Sequence, residues 1–366
     1  MKAWHFSENA YPYLPPAEEY ESIRVSLPNR IYDPKKGAAL YDRYIDEWLV
    51  AEDEGVEIML NEHHQTATCV DPAAPLVLAA LARLTKSARL LILGNPVANR
   101  RQPVRVAEEM AMVDVLSKGR LECGFVRGVP YEVLPANSNP VRMNERQWEA
   151  IDLIIKAWTS HDGPVSHEGQ FFHHRNINIW PRPYQQPHPP IWVSTTTPGG
   201  AGRGHDVPVH RLAYAALVYA GESEAEARSG AEKLLWYMTA NKVPLHFCYP
   251  PGYVPTPVHA QILRGAAVDQ HAANRANATV DKAIEAGIMF AGTPDQVFRQ
   301  IKQMYDHVGG FGHLLIMGQA GFLEHDETVR GIKTFAREVY PRLKEAFPDT
   351  ATSGMREAPL GARVPA

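Results

Sequence analysis

The sequence predicts an α/β protein, and three observations carry that reading. Short apolar segments of strand type alternate with amphipathic segments of helical period along most of the 366 residues. The strand segments are apolar runs of the kind found in parallel sheets covered by helices. Polar residues collect just after the strands, at Glu62-His63-His64, Asn95, Arg127 and positions 194–197. A (β/α) barrel and a doubly wound open sheet both place ligands at strand C-termini, so this placement leaves both open. No G-x-G-x-x-G follows the first strand, which weighs against a dinucleotide-binding sheet.

The elements follow in order. Residues 3–6 are a short opening strand, followed by a long loop rich in Pro and Tyr. Leu40, Tyr44, Ile45, Trp48 and Leu49 share one face of a helix over 38–54, which Gly55 stops. A strand over 56–60 runs into Asn61-Glu62-His63-His64. Residues 72–84 form a helix so nearly apolar that it is expected to be well buried. A strand over 89–93 ends in Gly94-Asn95-Pro96. A helix over 104–116 closes at Lys118-Gly119, and a strand over 120–126 ends in Arg127-Gly128. Trp148, Ile151, Ile155 and Trp158 mark another helix, and a polar loop with several histidines covers 161–188. A strand over 191–193 ends in Ser194-Thr195-Thr196-Thr197. Residues 212–219 are strand-like and 223–238 helical, with Gly230 weakening the latter. Thr293-Pro294-Asp295-Gln296 is a helix start: Thr293 caps, Pro294 fits the first turn, and Gln296 can reach back. Val297, Ile301, Met304 and Val308 continue that helix to Gly309-Gly310. A last strand covers 313–317 and a last helix 327–345. One domain over 1–348 and a disordered tail over 349–366 are expected.

Composition narrows the function classes. A hydrophobic fraction of 45 % supports a sizeable core and excludes a mostly disordered chain. Lys plus Arg (37) nearly balances Asp plus Glu (41), with no basic block, which argues against nucleic acid or an anionic membrane as partner. The three cysteines, Cys69, Cys123 and Cys248, are far apart and fit neither a disulfide framework nor a cysteine zinc site. With no run of 18 apolar residues and no signal-like start, a soluble cytoplasmic protein is expected.

Several short motifs occur in a fixed order: Trp4-His5-Phe6, Leu60 to His64, Asn95-Pro96, Pro103-Val104-Arg105, Ser117 to Leu121 and Arg127-Gly128. Trp180 to Tyr184, Pro190 to Val193 and Gly292-Thr293-Pro294 continue the series. In this order they resemble the bacterial luciferase-like, flavin-dependent monooxygenase family over about 1–200 and again about 210–345. The resemblance implies a TIM-type (β/α)₈ barrel, a homodimer, and binding of reduced FMN or a deazaflavin.

The chain departs from the family after Thr197. The family places a helix, a sixth strand and a second helix before its seventh strand. Here only the Gly- and Pro-rich residues 198–210 intervene. Thirteen residues cannot build two helices and a strand at about 1.5 Å and about 3.3 Å of rise per residue. An incomplete barrel of about seven strands is therefore expected, with a breach beside the fifth. The resemblance places the flavin phosphate near the N-terminus of the absent helix, where backbone N–H groups bind anions.

Through the resemblance, His63 matches a histidine close to the flavin's reactive face. It could relay a proton there, or hydrogen-bond structurally at the rim. A metal tripod from Glu62, His63 and His64 is disfavoured, because adjacent strand residues point to opposite sides; no metal is expected. Gly94 and Asn95 match a non-proline peptide, often cis, beneath the flavin ring. Gly94 would let the ring approach, and Asn95 would offer donor and acceptor to its pyrimidine edge. Arg127 matches an arginine that meets the flavin phosphate, and the Thr195, Thr196 and Thr197 hydroxyls could join it. Cys123 reads as a small buried hydrophobe. His167, His173 and His174 read as solvated loop residues, and 247–257 as a lid or a packed surface loop.

The function implied is a monooxygenase acting on a small organic substrate such as an aldehyde, ketone or aromatic. A separate flavin reductase would supply reduced FMN, since no nicotinamide fingerprint is present. The alternatives are deazaflavin-dependent hydride transfer on the same scaffold and a non-catalytic flavin-binding homologue.

Overall fold

Asp33 opens the first long helix: its carboxylate accepts the Lys35 backbone N–H, and Pro34 occupies the first turn. In this computed structural model, which describes residues 1–194, 207–240, 243–264 and 278–348, α1 therefore runs Pro34–Asp53 and starts earlier than the apolar period indicates. Strand and helix alternate around it as β1 Lys2–Ser7, β2 Glu57–Leu60, α2 Ala74–Leu84, β3 Leu90–Pro96, α3 Pro103–Leu116, β4 Leu121–Val126 and α4 Met143–Thr159. Then come β5 Val165–Glu168, β6 His173–Ile177, β7 Ile191–Val193, β8 Ala213–Ala220, α5 Glu224–Thr239, β9 Met289–Gly292 and β10 His313–Gln319.

Eight strands form one parallel sheet in the order β7-β4-β3-β2-β1-β10-β8-β9. All seven expected strands are in it. The expected count is corrected to eight by β9, whose four residues run directly into the Thr293 cap and show no period of their own. The sheet curls: Trp4 on β1 meets Trp192 on β7 edge-on at 5.5 Å, although three strands separate them in the order. Trp192 also reaches His313 on β10 at 4.6 Å. Trp4, Phe6, Met59, Leu91 and Leu315 fill this interior, while the larger core lies between the sheet and α1 to α4. Among the described residues β7 and β9 do not pair, so the barrel stays open beside its fifth strand, as the short 198–210 link implies. Residues 195–206 of that link lie outside the described residues; Val209–Arg211 is a 3₁₀ turn leading into β8.

Four readings of single elements are corrected. The polar loop at 161–188 contains the antiparallel hairpin β5–β6, in which His167 pairs with His174. Its His167 is not solvated but lies 3.3 Å from Glu149, which also receives the Gln170, Phe171 and Phe172 backbone N–H groups. The helix α2 is less well buried than its composition indicates: Leu78 and Leu81 are fully buried, but Leu76 is 74 % exposed. The last helix is interrupted by a π turn, Phe335–Val339, just ahead of Pro341, whose ring nitrogen has no N–H to donate back. Gly230 sits inside α5 because a Cβ there would lie 2.5 Å from the Tyr219 ring. The expected tail, 349–366, lies outside the described residues.

Candidate functional site

The C-terminal ends of β1, β2 and β4 bring together residues that the sequence keeps far apart. Glu8 follows β1, and its backbone N–H donates to Gln319 O, which ties it to the end of β10. Asn61 follows β2 and donates from Nδ2 to Glu8 Oε2 at 2.7 Å. The loop after β4 makes a 3₁₀ turn, Pro130–Glu132, which carries Tyr131 and Glu132 inward.

Glu132 is the buried anchor of this turn. Its Oε1 accepts both His63 Nδ1–H, at 2.9 Å, and the His64 backbone N–H, at 3.0 Å. The other ring nitrogen of His63 lies 4.0 Å from Glu8 Oε2. His64 points the other way, as strand-type alternation requires, and donates from Nε2 to Glu62 Oε1 at 3.0 Å. Arg100 Nη2 reaches the same Glu62 oxygen at 2.5 Å. Neighbouring histidines are thus each held by a different buried carboxylate.

Arg24 braces the turn from behind. Its buried guanidinium donates to Thr68 Oγ1 at 2.8 Å and Tyr131 Oη at 2.7 Å, and lies over the Tyr131 and Tyr237 rings. Burial works against the Arg24 charge, but the Tyr237 and Tyr131 hydroxyls and Glu8 outweigh it and raise its pKa. Burial raises the hydroxyls of Tyr131 and Tyr237 as well. Asp71, behind this cluster, is pushed up to about 8 by burial and by the nearby Glu62 carboxylate, against a hydrogen bond from Asn9.

The residues expected to meet a flavin lie along β3 and just after β4. The peptide Leu93–Gly94 is cis. A Cβ on Gly94 would lie 2.9 Å from Gly124 O and from Val126 Cγ1, so glycine is needed there by the neighbouring strand β4. The β3–β4 register shifts between Ile92 and Asn95. That irregularity breaks the alternation that puts Leu91 and Leu93 in the barrel interior. Asn95 is consequently fully buried on the helix side. Its Nδ2 is 3.4 Å from Gly124 O and 3.7 Å from Met110 Sδ on α3. Its Oδ1 is buried without a hydrogen-bond partner among the described residues. Arg127 stands at the end of β4; its guanidinium lies 4.0 Å from the Tyr253 ring, donates to Tyr253 Oη, and is 3.4 Å from Asn144 Oδ1. Tyr253 belongs to the 247–257 segment, which packs through this ring against Ala98, Val133 and Met143. Thr195, Thr196 and Thr197 lie outside the described residues.

Asn99 extends the list. Gly128 has φ +97°, and a Cβ there would lie 2.5 Å from Asn99 Nδ2, so a glycine next to Arg127 lets that amide in. Neither Nδ2 nor Oδ1 of the buried Asn99 has a hydrogen-bond partner among the described residues. Asn99 thus presents an orphaned, buried amide against the Gly128 backbone, one residue past Arg127. Glu8 and Glu132 escaped the sequence reading although both follow strand ends closely; Arg24 gives no sequence signal, lying in a loop far from any strand end. Among the described residues no three His, Cys, Asp or Glu are grouped to hold a metal ion, and no helix is long and apolar enough to cross a membrane. Cys123 is fully buried, as expected.

Known proteins share both sequence and fold with this chain. The family described as Luciferase-like monooxygenase matches residues 25–203. The oxygenase component of a flavin-dependent trigonelline monooxygenase from Acinetobacter baylyi is 34 % identical over 173 residues, 46 % of this chain and 47 % of that protein. The chain spans about half the length of the curated relatives it matches. Among solved structures, the monooxygenase RslO1 from Streptomyces bottropensis superposes with a TM-score of 0.67 at 20 % identity, covering 93 % of this chain and 99 % of that one. The oxygenating constituent of 3,6-diketocamphane monooxygenase from Pseudomonas putida, in complex with FMN, gives 0.63 at 18 % identity, covering 93 % and 98 %. The segment match, the ordered strand-end motifs and the curled parallel sheet agree: residues 25–203 match the family described as Luciferase-like monooxygenase, and the fold is that of the solved monooxygenases.

Proposed function

We propose that this protein is the oxygenase of a two-component, flavin-dependent monooxygenase, taking reduced FMN from a separate reductase and oxygenating a small organic substrate. The observation that carries the reading is the strand-end pairing of His63, after β2, with Glu132, after β4, while Arg127 and Asn99 follow the ends of β4 and the intervening β3. Similarity to the oxygenase component of a trigonelline monooxygenase supports the division of labour with a reductase.

A bound reduced flavin would supply the electrons that activate dioxygen. The chain's own residues do the rest. Arg127 and the Asn99 amide would hold the phosphate of a bound flavin, with the Tyr253 ring sharing or yielding the guanidinium. His63 accepts a proton at Nε2 while Glu132 keeps Nδ1–H engaged. The brace of Arg24, Tyr131 and Thr68 holds the 3₁₀ turn so that Glu132 keeps its aim. We also propose a homodimer. Leu76 and Leu84 on α2, with Met112, Val115 and Leu116 on the adjacent α3, present exposed apolar side chains that a second copy would cover.

Anaerobic titration with reduced FMN, oxidised FMN, a reduced deazaflavin and NADPH, followed by air and product analysis, tests the reading. Selective binding of reduced FMN and flavin-dependent incorporation of oxygen into a substrate support it. Tight nicotinamide binding without flavin binding refutes it, and selective deazaflavin binding reassigns the site to hydride transfer.

A further inference from the structure

Nδ1 of His63 has two neighbours: the Tyr131 hydroxyl, which can donate or accept, at 3.5 Å, and much closer a carboxylate oxygen that can only accept. Glu132 Oε1 is a carboxylate oxygen 2.9 Å away, and the same oxygen already takes the His64 backbone N–H. Glu132 is 1 % exposed, so water does not compete for the contact. Of the two neutral tautomers, only the one protonated at Nδ1 completes this hydrogen bond. The lone pair is thereby placed on Nε2, which faces Glu8 Oε2 at 4.0 Å, too far for a direct hydrogen bond. Glu8 is itself held by Asn61 Nδ2 and cannot turn toward the ring without losing that partner. Two acceptors about one small group apart frame a seat for a donor.

We propose that Glu132 is the positioning residue of His63: it fixes the ring in the Nδ1–H tautomer, so that Nε2 accepts a proton from a hydroxyl, water or N–H seated against Glu8. In that step the donor's X–H bond breaks, a new N–H bond forms at Nε2, and the donor keeps the electron pair. Glu132 bonds only to Nδ1–H and neither gains nor loses a proton. The surroundings are built for this one geometry. Tyr131, next to Glu132, is fastened by Arg24, while His64 is committed to Glu62 and cannot replace His63. The role in turnover rests on the oxygenase reading, whereas the tautomer does not.

The experiment is ¹⁵N-resolved NMR of the His63 ring in the flavin-free protein, at a pH where the ring is neutral, with Glu132→Gln and Glu132→Ala alongside. The expected native spectrum shows Nδ1 protonated and Nε2 bare. Glu132→Ala should give a mixture of tautomers, and Glu132→Gln, whose amide oxygen can take the same place, should restore the native form at least in part. With reduced FMN, oxygen and the substrate found by product analysis, Glu132→Ala should lower kcat about 10²-fold or more while FMN affinity changes less than about threefold. A native ring protonated at Nε2, or a tautomer indifferent to Glu132→Ala, overturns the proposal even if the enzyme turns over. An inactive protein with the native tautomer intact instead overturns the oxygenase reading and leaves the Glu132 pairing standing.

Discussion

Asp71→Asn should make the protein more stable at neutral pH, by an amount that grows with pH. Asp71 is 1 % exposed, and Oδ2 has no hydrogen-bond partner among the described residues. Burial and the Glu62 carboxylate raise it from 3.8 to about 8. The folded state therefore holds a proton that the unfolded chain releases above about pH 4. Where the folded state binds more protons, stability falls as pH rises, at about 1.4 kcal/mol per pH unit for one group. The fall begins near the unfolded value, continues to about pH 8, and then levels off. Between pH 4.5 and 7.5 it amounts to about 4 kcal/mol at most, a large share of the about 5–15 kcal/mol of a typical domain. Asparagine does not titrate, so the variant escapes this loss. Urea unfolding of both proteins at pH 4.5, 6, 7.5 and 9 should show the variant gaining on the native protein up to about pH 8 and no further. A difference that stays constant across that range would refute the protonated Asp71, and one that grows with falling pH would reverse the sign of the argument.

Other perturbations test other parts of the structure. His63→Ala should cut oxygenation about 10²–10⁴-fold with little change in melting temperature, because a rim histidine adds little to the core; unfolding, or full activity, would count against its role. Arg127→Ala should weaken FMN about 10–100-fold and riboflavin much less, since only FMN carries the phosphate; fluorescence titration with both ligands decides it. Gly94→Ala should cost about 1–3 kcal/mol, because the added methyl meets Gly124 O at 2.9 Å, a backbone atom that cannot rotate away; unchanged urea midpoints would contradict that crowding. Leu76→Glu combined with Met112→Glu should convert a dimer to monomers in sedimentation, and an unaltered association state would place the dimer contact elsewhere.

Seven of the eight sheet strands were legible in the sequence because an apolar run bounded by polar strand ends is a local signal. So was the cap at Thr293, since Thr, Pro and Gln lie within four consecutive positions and meet within one helical turn. That 198–210 is too short for two helices and a strand followed from chain length, once the resemblance supplied the pattern to compare, because a link of thirteen residues has a fixed reach. The open edge between β7 and β9 is its consequence in space.

The site was only half legible, and the reason is distance along the chain. His63 stood out as a histidine at a strand end, but its partner Glu132 lies 69 positions away, and no periodicity connects them. Arg24 is more than a hundred positions from the Tyr131 hydroxyl that it fastens. Asn95 shows how one irregular position hides a side chain's facing. Regular alternation from Leu91 and Leu93 puts it in the barrel, and a register shift of the β3–β4 pairing sends it to the helix side. A side chain's facing has a period of two, so one irregular position reverses it. Sequence determined which residues reach the strand ends, because strand and helix periods are local; folding alone decided which carboxylate each histidine meets, because those contacts form only when separate strand ends converge.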